Sequence, residues 1–284
     1  MMSAKRMVAV AAATIGLVSV AHAADLPARV APAPYVPSAP IFTWTGAYFG
    51  INGGYSFSNN TKFNIAAATA SDNGIANGNR PSSFRNSDDG FTAGAQFGYN
   101  YEFNGFGSFG GAGSGIVIGF EADAAYIDSA RTGTENAIND VGNTAISNFR
   151  SGLDFLGTAR GRLGYAFNQF LIYGTGGFAY GDTFQSARLF TAGNAAQLRY
   201  FGSHSDIQTG YAYGGGIEYA LPTSSFLNFF HSSAVTIKAE YLHYDLGNSS
   251  FVAHNLVVNQ TTSAYNMRTR TEGDLARVGL NYKF

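Results

Sequence analysis

The sequence predicts an all-β protein, and three observations support this prediction. Along Thr45–Phe57 one face carries Phe49, Ile51 and Tyr55, and the other carries mostly glycine, asparagine and serine, a period of two residues that is typical of a β-strand. The apolar faces of this and later segments carry almost no charge. Glycine (36 residues) and aromatic residues (15%) are both abundant. Together these features predict a transmembrane antiparallel up-and-down β-barrel, with apolar side chains toward lipid and small or charged ones toward a narrow lumen.

The N-terminus has the three-part order of an export signal. Lys5 and Arg6 precede an uncharged, mostly apolar stretch, Met7–Val20, and small residues follow at Ala21 and Ala23. This stretch is too short for a membrane-spanning helix, and no later apolar stretch is longer, so the sequence does not predict a helical membrane protein. We expect cleavage between Ala23 and the next residue.

This interpretation divides the chain into three segments. Residues 1–23 are the predicted signal peptide, residues 24–43 a Pro/Ala-rich periplasmic linker, and residues 44–284 the outer-membrane barrel. The absence of cysteine excludes disulfides, a lipoprotein attachment site and thiolate metal ligands. A net charge of −1 provides no basic surface for nucleic acid.

The alternation predicts eight strands. They cover Thr45–Phe57, Gly90–Phe103, Ile116–Tyr126, Leu153–Tyr165, Phe170–Gly181, Tyr211–Tyr219, Val235–Tyr241 and Ala276–Phe284. The fifth is apolar on both parities, so its faces are not assigned. Long connections are predicted to be extracellular loops and shorter ones periplasmic turns. The long ones cover residues 58–89, 128–151, 182–207 and 247–272; the shorter ones cover 104–115, 167–169 and 221–233. A hairpin extended by Ile65–Ala70 or Phe251–Val258 gives ten strands as the alternative.

Charged residues on the inward parity are the candidates for a defined site. They are Glu102, Glu121, Asp123, Asp154, Glu218 and Glu240, together with Arg160, Arg162, Lys238, Arg277 and Lys283. An eight-stranded barrel is just wide enough for side chains to fill it, and lone buried charges are costly, so these residues should form ion pairs. One interpretation is a network that plugs the lumen, and the other is a narrow pathway for small solutes.

Three weaker patterns involve histidine or glycine. His204 and His243 each lie near an aspartate, but sequence neighbours on a strand point to opposite faces, so no catalytic site is predicted. His204, His254 and several loop tyrosines are possible axial ligands for hemin, although nothing in their spacing marks a site, and no other cofactor or metal is predicted. The segment Gly105–Gly110 matches a dinucleotide-binding pattern, but a strand rather than a helix follows, which favours a flexible turn.

The mature chain resembles the outer-membrane immunogenic proteins of Gram-negative bacteria, a porin-like family with the OmpA-type eight-stranded barrel. The motifs that resemble this family are Trp44–Gly50 (WTGAYFG), Thr158–Ala166 (TARGRLGYA), Leu171–Gly181 (LIYGTGGFAYG), Lys238–Leu242 (KAEYL) and Arg277–Phe284 (RVGLNYKF). The resemblance implies a location in the outer membrane. It also implies insertion by the barrel-assembly machinery, which recognises a final strand ending in an aromatic residue; here Leu280, Tyr282 and Phe284 share one face.

The expected function is therefore a non-enzymatic surface protein that stabilises the envelope. Its loops are expected to contact lipopolysaccharide or host surface molecules. The alternative is a narrow porin or a hemin-binding receptor, since some members of the family that this chain resembles are described as weak pores or as hemin-binding.

Overall fold

The computed structural model describes residues 42–57, 60–69, 73–87, 89–104, 114–138, 142–193, 197–222, 224–257 and 263–284. The predicted signal peptide, nearly all of the predicted linker and the segment Gly105–Gly110 lie outside these residues. No helix within the described ranges has the length and apolar character needed to cross a membrane.

The described residues form eleven strands, and every paired set is antiparallel. The strands are β1 (Gly46–Phe57), β2 (Asn60–Ala67), β3 (Ser83–Ser87), β4 (Gly90–Asn104), β5 (Ser114–Ile127), β6 (Arg131–Ile138), β7 (Thr144–Phe167), β8 (Phe170–Phe190), β9 (Leu198–Leu221), β10 (Ala234–Asn255) and β11 (Ala264–Lys283).

Hydrogen-bonded pairing runs through β1, β4, β5, β7, β8, β9, β10 and β11, and β11 pairs again with β1. We call this closed set of eight strands the strand ring. Beyond the end of β1, β11 pairs with β2, which pairs with β3, and β6 pairs with the first part of β7. The strand ring therefore has a hairpin end, where β2, β3 and β6 lie, and an opposite turn end.

The turn end contains the tightest connection of the ring. β7 and β8 are joined by Asn168 and Gln169, between the paired residues Phe167 and Phe170. Asn168 has a φ of 55°, in the left-handed region that asparagine tolerates better than most residues. This short turn agrees with the sequence prediction.

Three of the four long loops predicted from the sequence are mostly strand, and the fourth, residues 58–89, contains β2 and β3. β7 begins at Thr144 and β8 continues to Phe190, and residues 182–207 and 247–272 are mostly paired strand. Apolar side chains at the hairpin end point inward and pack together, which stabilises these extensions. This hairpin-end cluster contains Phe63, Ile65, Phe149, Ala187, Leu189, Tyr200, Phe251, Ala253, Tyr265 and Met267.

Two further apolar clusters lie inside the strand ring. The turn-end cluster contains Trp44, Val117, Ala166, Leu171, Tyr173 and Ala220, with Phe42 packed against it. The middle cluster contains Ile127, Leu153, Leu156, Ala179, Ala212, Leu242, Tyr244, Leu246 and Leu275. Leu171 and Tyr173 are buried whereas Phe170 and Ile172 are exposed, which assigns the faces of the fifth predicted strand.

The outer surface of the ring is apolar. Ile51 is 64% exposed and Phe97 is 61% exposed, and Leu163, Ile172, Phe178, Ile217 and Val278 are exposed in the same way. Large apolar side chains are more stable in contact with lipid than with water. The exposed apolar band around the ring is therefore expected to contact lipid.

Candidate functional site

Arg160 is at the centre of an ion-pair network inside the strand ring. Its Nη2 lies 2.8 Å from Glu121 Oε1 and 2.8 Å from Asp123 Oδ2, and its Nη1 lies 3.1 Å from Glu240 Oε1. β7 supplies the arginine, β5 two of the acids and β10 the third. Arg160 therefore joins strands that lie apart in the ring.

Arg277 and Lys238 approach the same acids from β11 and β10. Arg277 Nη1 lies 2.7 Å from Asp123 Oδ1, and its Nη2 lies 2.6 Å from Glu240 Oε2. Lys238 Nζ lies 2.8 Å from Glu121 Oε1. Each of the three acids is thus shared by at least two cations.

Arg162 extends the network toward the turn end. Its Nη2 lies 2.7 Å from Glu218 Oε2, and its guanidinium carbon lies 3.9 Å from the centre of the Tyr173 ring. Arg162 Nη1 donates to the Tyr48 hydroxyl at 2.6 Å, and that hydroxyl donates to Glu121 Oε2 at 2.8 Å. Because these charged groups are buried, each needs a partner. The Tyr48 hydroxyl and the Tyr173 ring supply two further partners for Arg162.

The charges in the network balance. Four acids (Glu121, Asp123, Glu218 and Glu240) meet four bases (Arg160, Arg162, Lys238 and Arg277), and every one of these side chains is 3% exposed or less. Ionised groups are tolerated in such an enclosed position only when they are paired and hydrogen-bonded. A balanced set satisfies this condition without a bound ion.

Neutral amides from β1, β4 and β11 extend the network around the ring. Asn52 Nδ2 donates to Gln96 Oε1 at 2.8 Å, and Gln96 Nε2 donates to Asn281 Oδ1 at 2.6 Å. Asn281 Nδ2 donates in turn to Glu218 Oε1 at 2.9 Å. With Tyr173 from β8, every strand of the ring contributes a side chain to this polar layer.

Glycines on the inner face leave room for the large side chains. A Cβ on Gly98 would lie 2.5 Å from Phe120 O and would contact the Tyr48 hydroxyl. A Cβ on Gly279 would lie 2.8 Å from Gln96 Nε2 and 3.0 Å from Lys238 Cγ. Glycines at inward positions of the sequence therefore indicate an interior that is crowded by large side chains.

Three predicted members lie apart from the network. Glu102 Oε2 accepts hydrogen bonds from Trp44 N at 2.8 Å and from Thr43 Oγ1 at 3.0 Å, so it binds the segment that leads into β1. Lys283 is buried near the turn end, with Nζ 5.8 Å from the centre of the Phe42 ring. Asp154 is the third.

The prediction for Asp154 is wrong. Asp154 is exposed, whereas its neighbour Leu153 is 3% exposed and belongs to the middle cluster. The pairing of β7 with β8 shifts by one residue between Leu153 and Phe155. A β-bulge at this point inverts the two faces of β7, and strict alternation cannot reveal it.

The polar layer is enclosed by apolar side chains on both sides. Along β5, Val117 of the turn-end cluster precedes Glu121, and Ile127 of the middle cluster follows Asp123. Along β7 the same layers occur in reverse order, from Leu156 through Arg160 to Ala166. The interior is therefore filled at several levels.

His243 lies near Asp245 in the sequence but contacts a different aspartate in the structure. His243 Nδ1 lies 2.9 Å from Asp274 Oδ1 rather than near Asp245, which pairs with Arg270 at 2.5 Å. The Tyr241 hydroxyl also donates to Asp274 Oδ1, at 2.7 Å. Among the residues that the structure describes, no three His, Asp or Glu side chains form a metal-binding group.

Comparison with known proteins agrees with this architecture. The family model described as the outer membrane protein beta-barrel domain matches residues 10–284. The chain is 32% identical over 266 residues to the 31 kDa outer-membrane immunogenic protein of Brucella melitensis biotype 1, covering 93% of each chain. The chain belongs to this family of outer-membrane β-barrel proteins. It lies in the outer membrane of a Gram-negative bacterium.

A second curated protein and a solved structure were also found for this outer-membrane protein. The 31 kDa outer-membrane immunogenic protein of Brucella suis biovar 1 is also 32% identical, again over 93% of each chain. Among solved structures, the outer membrane protein OprG from Pseudomonas aeruginosa is 13% identical, with a TM-score of 0.46, over 84% of this chain and 97% of that chain.

The final strand of this outer-membrane protein ends in an aromatic cluster. The Phe284 ring stacks on Phe49 at 5.5 Å between centroids, and Phe49 contacts Phe230 at 5.8 Å. Phe284 is exposed, Leu280 is half-buried and Tyr282 is 7% exposed, because Phe230 packs edge-on against its ring at 4.8 Å. Their role as an assembly signal stays a prediction.

Proposed function

We propose that the chain is a non-enzymatic surface protein that stabilises the outer membrane, built on a barrel of eight membrane-spanning strands that does not conduct. The hairpin end lies outside the cell and contacts lipopolysaccharide or host molecules. The turn end lies in the periplasm, where short connections are usual in such barrels.

The charge-balanced network supports the absence of conduction. A water-filled channel needs space and hydrated charges, whereas here eight ionised side chains pair with one another at 3% exposure or less. Apolar layers on both sides of the network add a barrier to water and ions, since hydrophobic constrictions exclude water.

The exposed apolar band supports the membrane-spanning role of the strand ring. Phe97 and Ile51 lie in this band, whereas at the hairpin end Phe63, Phe149 and Met267 are fully buried. Large apolar side chains thus face inward at the hairpin end, opposite to those of the exposed apolar band.

A planar-bilayer recording on the purified, folded protein tests this proposal. We expect no steady conductance from the natural chain, and rare or small openings from a variant that replaces Arg160 and Glu121 by alanine, because it removes side chains from the plug. A large, steady conductance of the natural protein would contradict the proposal and favour a narrow porin.

Hemin capture is the other alternative, and a titration decides it. His204 pairs opposite Gln185 on the inward parity of β9, whereas His254 is exposed on β10, so the two side chains lie on different faces. We expect no Soret shift when hemin is added. A saturable shift that is lost on replacing His254 would favour a hemin receptor.

A further inference from the structure

A polar pocket lies on the outer surface of the hairpin end, where β6, β7 and β8 meet. It has a volume of about 150 Å³ and is lined by Thr132, Asn148, Arg150, Ser186 and Arg188. Two guanidinium groups, two hydroxyls and one amide form the lining, and no acid contributes to it. Such a set of groups is suited to an oxyanion, because arginine pairs with phosphate through two parallel hydrogen bonds.

The pairing register places both arginines on the same face. Arg150 pairs opposite Ser186, and Arg188 pairs opposite Asn148, so the two arginines are diagonal neighbours. Diagonal neighbours in an antiparallel sheet lie about 7–8 Å apart. On the other side, Thr132 pairs opposite Arg150. In the described part of the chain, no carboxylate lies within ion-pairing distance of either guanidinium.

Aromatic rings hold the two arginines in place. The guanidinium carbon of Arg150 lies 4.8 Å from the centre of the Phe184 ring, and that of Arg188 lies 5.9 Å from the centre of the Phe201 ring. Stacking on an aromatic face restricts a long side chain and leaves its N–H groups free to donate. The cationic groups are therefore positioned before any ligand arrives.

The side-chain amide of Asn148 favours a ligand that also carries a hydrogen-bond donor. Its Oδ1 is buried and has no hydrogen-bond donor among the described residues. A buried acceptor without a partner is costly, and a sugar hydroxyl next to a phosphate would supply the missing donor. The pocket thus combines anion donors with a hydroxyl acceptor, which favours a phosphorylated sugar over a bare ion.

Size and position restrict the ligand further. A volume of about 150 Å³ is below the roughly 300–1,000 Å³ typical of pockets for drug-sized molecules, so only part of a larger ligand fits. Ser186 lies six residues beyond Tyr180 on β8. At about 3.3 Å per residue and a tilt near 40°, this places the pocket roughly 15 Å beyond Tyr180 along the axis of the ring.

We propose that this arginine pocket binds a phosphorylated sugar of the lipopolysaccharide headgroup in the same outer leaflet. The inference rests on the proposed function, which places the hairpin end outside the cell. With the hairpin end outside the cell, the pocket would face the carbohydrate layer of the outer leaflet, and basic pockets on membrane proteins commonly bind anionic headgroups. The proposal therefore specifies lipopolysaccharide as the partner in the proposed surface role.

Binding measurements on the folded full chain in detergent micelles test this proposal. The probes are lipopolysaccharide, the same preparation after removal of its phosphates, and the soluble phosphorylated core oligosaccharide without lipid. The pocket variant is R150Q/R188Q, and the matched control is R85Q/R268Q, because Arg85 and Arg268 are exposed cations on β3 and β11. A heat-dependent change in gel mobility confirms that each variant is folded.

We expect the pocket variant to bind intact lipopolysaccharide at least tenfold more weakly than the natural chain, and the control to stay within twofold. Removing the phosphates should cause a similar loss with the natural chain and little further loss with the pocket variant. The delipidated core should compete if the phosphorylated sugar is the recognised group. Competition by inorganic phosphate alone at similar concentrations would overturn the sugar requirement.

Two outcomes overturn the proposal itself. Equal losses in both variants would mean that general surface charge is responsible, and unchanged binding after phosphate removal would exclude recognition of phosphate. Binding of heparin that depends on the pocket, without such dependence for lipopolysaccharide, would assign the pocket to a sulfated host polysaccharide. A conductance recording on the same sample separates these results from failure of the proposed function.

Discussion

Arg277 on β11 and Asp123 on β5 form an ion pair with 2.7 Å between Nη1 and Oδ1, although 154 residues separate them in the chain. Two strands, β1 and β4, lie between β11 and β5 in the ring. The contact therefore crosses the interior, and it links parts of the wall that backbone hydrogen bonds do not join directly.

Removing one partner of this pair should be far more costly than removing both. We expect R277M to lower the free energy of unfolding by about 3–5 kcal/mol, because it leaves a buried carboxylate with too few cations. The double variant R277M/D123L restores the charge balance and should recover most of that loss. Urea titration in lipid vesicles, followed by gel mobility, measures both, with the exposed Arg85 replaced by methionine as the control. A double variant as unstable as the single one would contradict this account.

Gly98 should not tolerate a side chain. A Cβ at this position would lie 2.5 Å from Phe120 O and contact Tyr48, whereas the nearest atom to a Cβ on Gly174 is Gly214 O at 3.9 Å. We expect G98A to destabilise the fold by about 1–3 kcal/mol through overpacking. G174A is the control and should leave the folded fraction on unboiled gels unchanged. Equal folded fractions for the two variants would show that the interior has unused space.

A lysine scan should locate the boundary of the lipid-facing surface. Phe97 and Ile138 are 61% and 69% exposed, but Phe97 lies in the apolar band and Ile138 ends β6 at the hairpin end. F97K should cost about 2–4 kcal/mol if its position is near the bilayer midplane, whereas I138K should cost little. Folding titrations into vesicles provide the measurement. Similar small costs at both sites would remove the support for a membrane-embedded band.

Deletion of Phe284 should lower assembly more than a change at an exposed aromatic residue elsewhere. The Phe284 ring stacks on Phe49 at 5.5 Å, and Phe284 N donates to Ala47 O at 2.9 Å, so it anchors the closing pair of the ring. Phe226, which is 83% exposed, provides the control as F226S. The amount of protein accessible to protease on intact cells is the readout. Normal surface levels without Phe284 would refute the predicted assembly signal.

Much of the strand ring can be predicted from local pattern. The first predicted strand, Thr45–Phe57, differs by one residue from β1, because its alternation is uninterrupted and its face is uniform. The facing of Glu121 and Arg160 follows from the same period. Asp154 could not be placed, because a bulge is a property of the pairing between two strands and leaves no mark in either sequence alone.

The sequence predicts extended hairpins only as an alternative, at Ile65–Ala70 or Phe251–Val258, and their full length does not follow from it for a different reason. On β11 the apolar residues change parity, from the exposed Val278 to the buried Met267 and Tyr265. The change occurs because water replaces lipid outside the wall, so apolar side chains turn inward. A search for one continuous lipid-facing pattern interprets this inversion as the end of the strand.

The amino-acid sequence alone determined the alternation, the outward apolar face and, apart from Asp154, the charges that face inward, because these depend on the two-residue period of a strand. Only the tertiary structure decided which acid meets which base, where the faces exchange and which arginines line the outer pocket. Those features depend on register between strands and on distances across the ring, and a single strand contains no information about either.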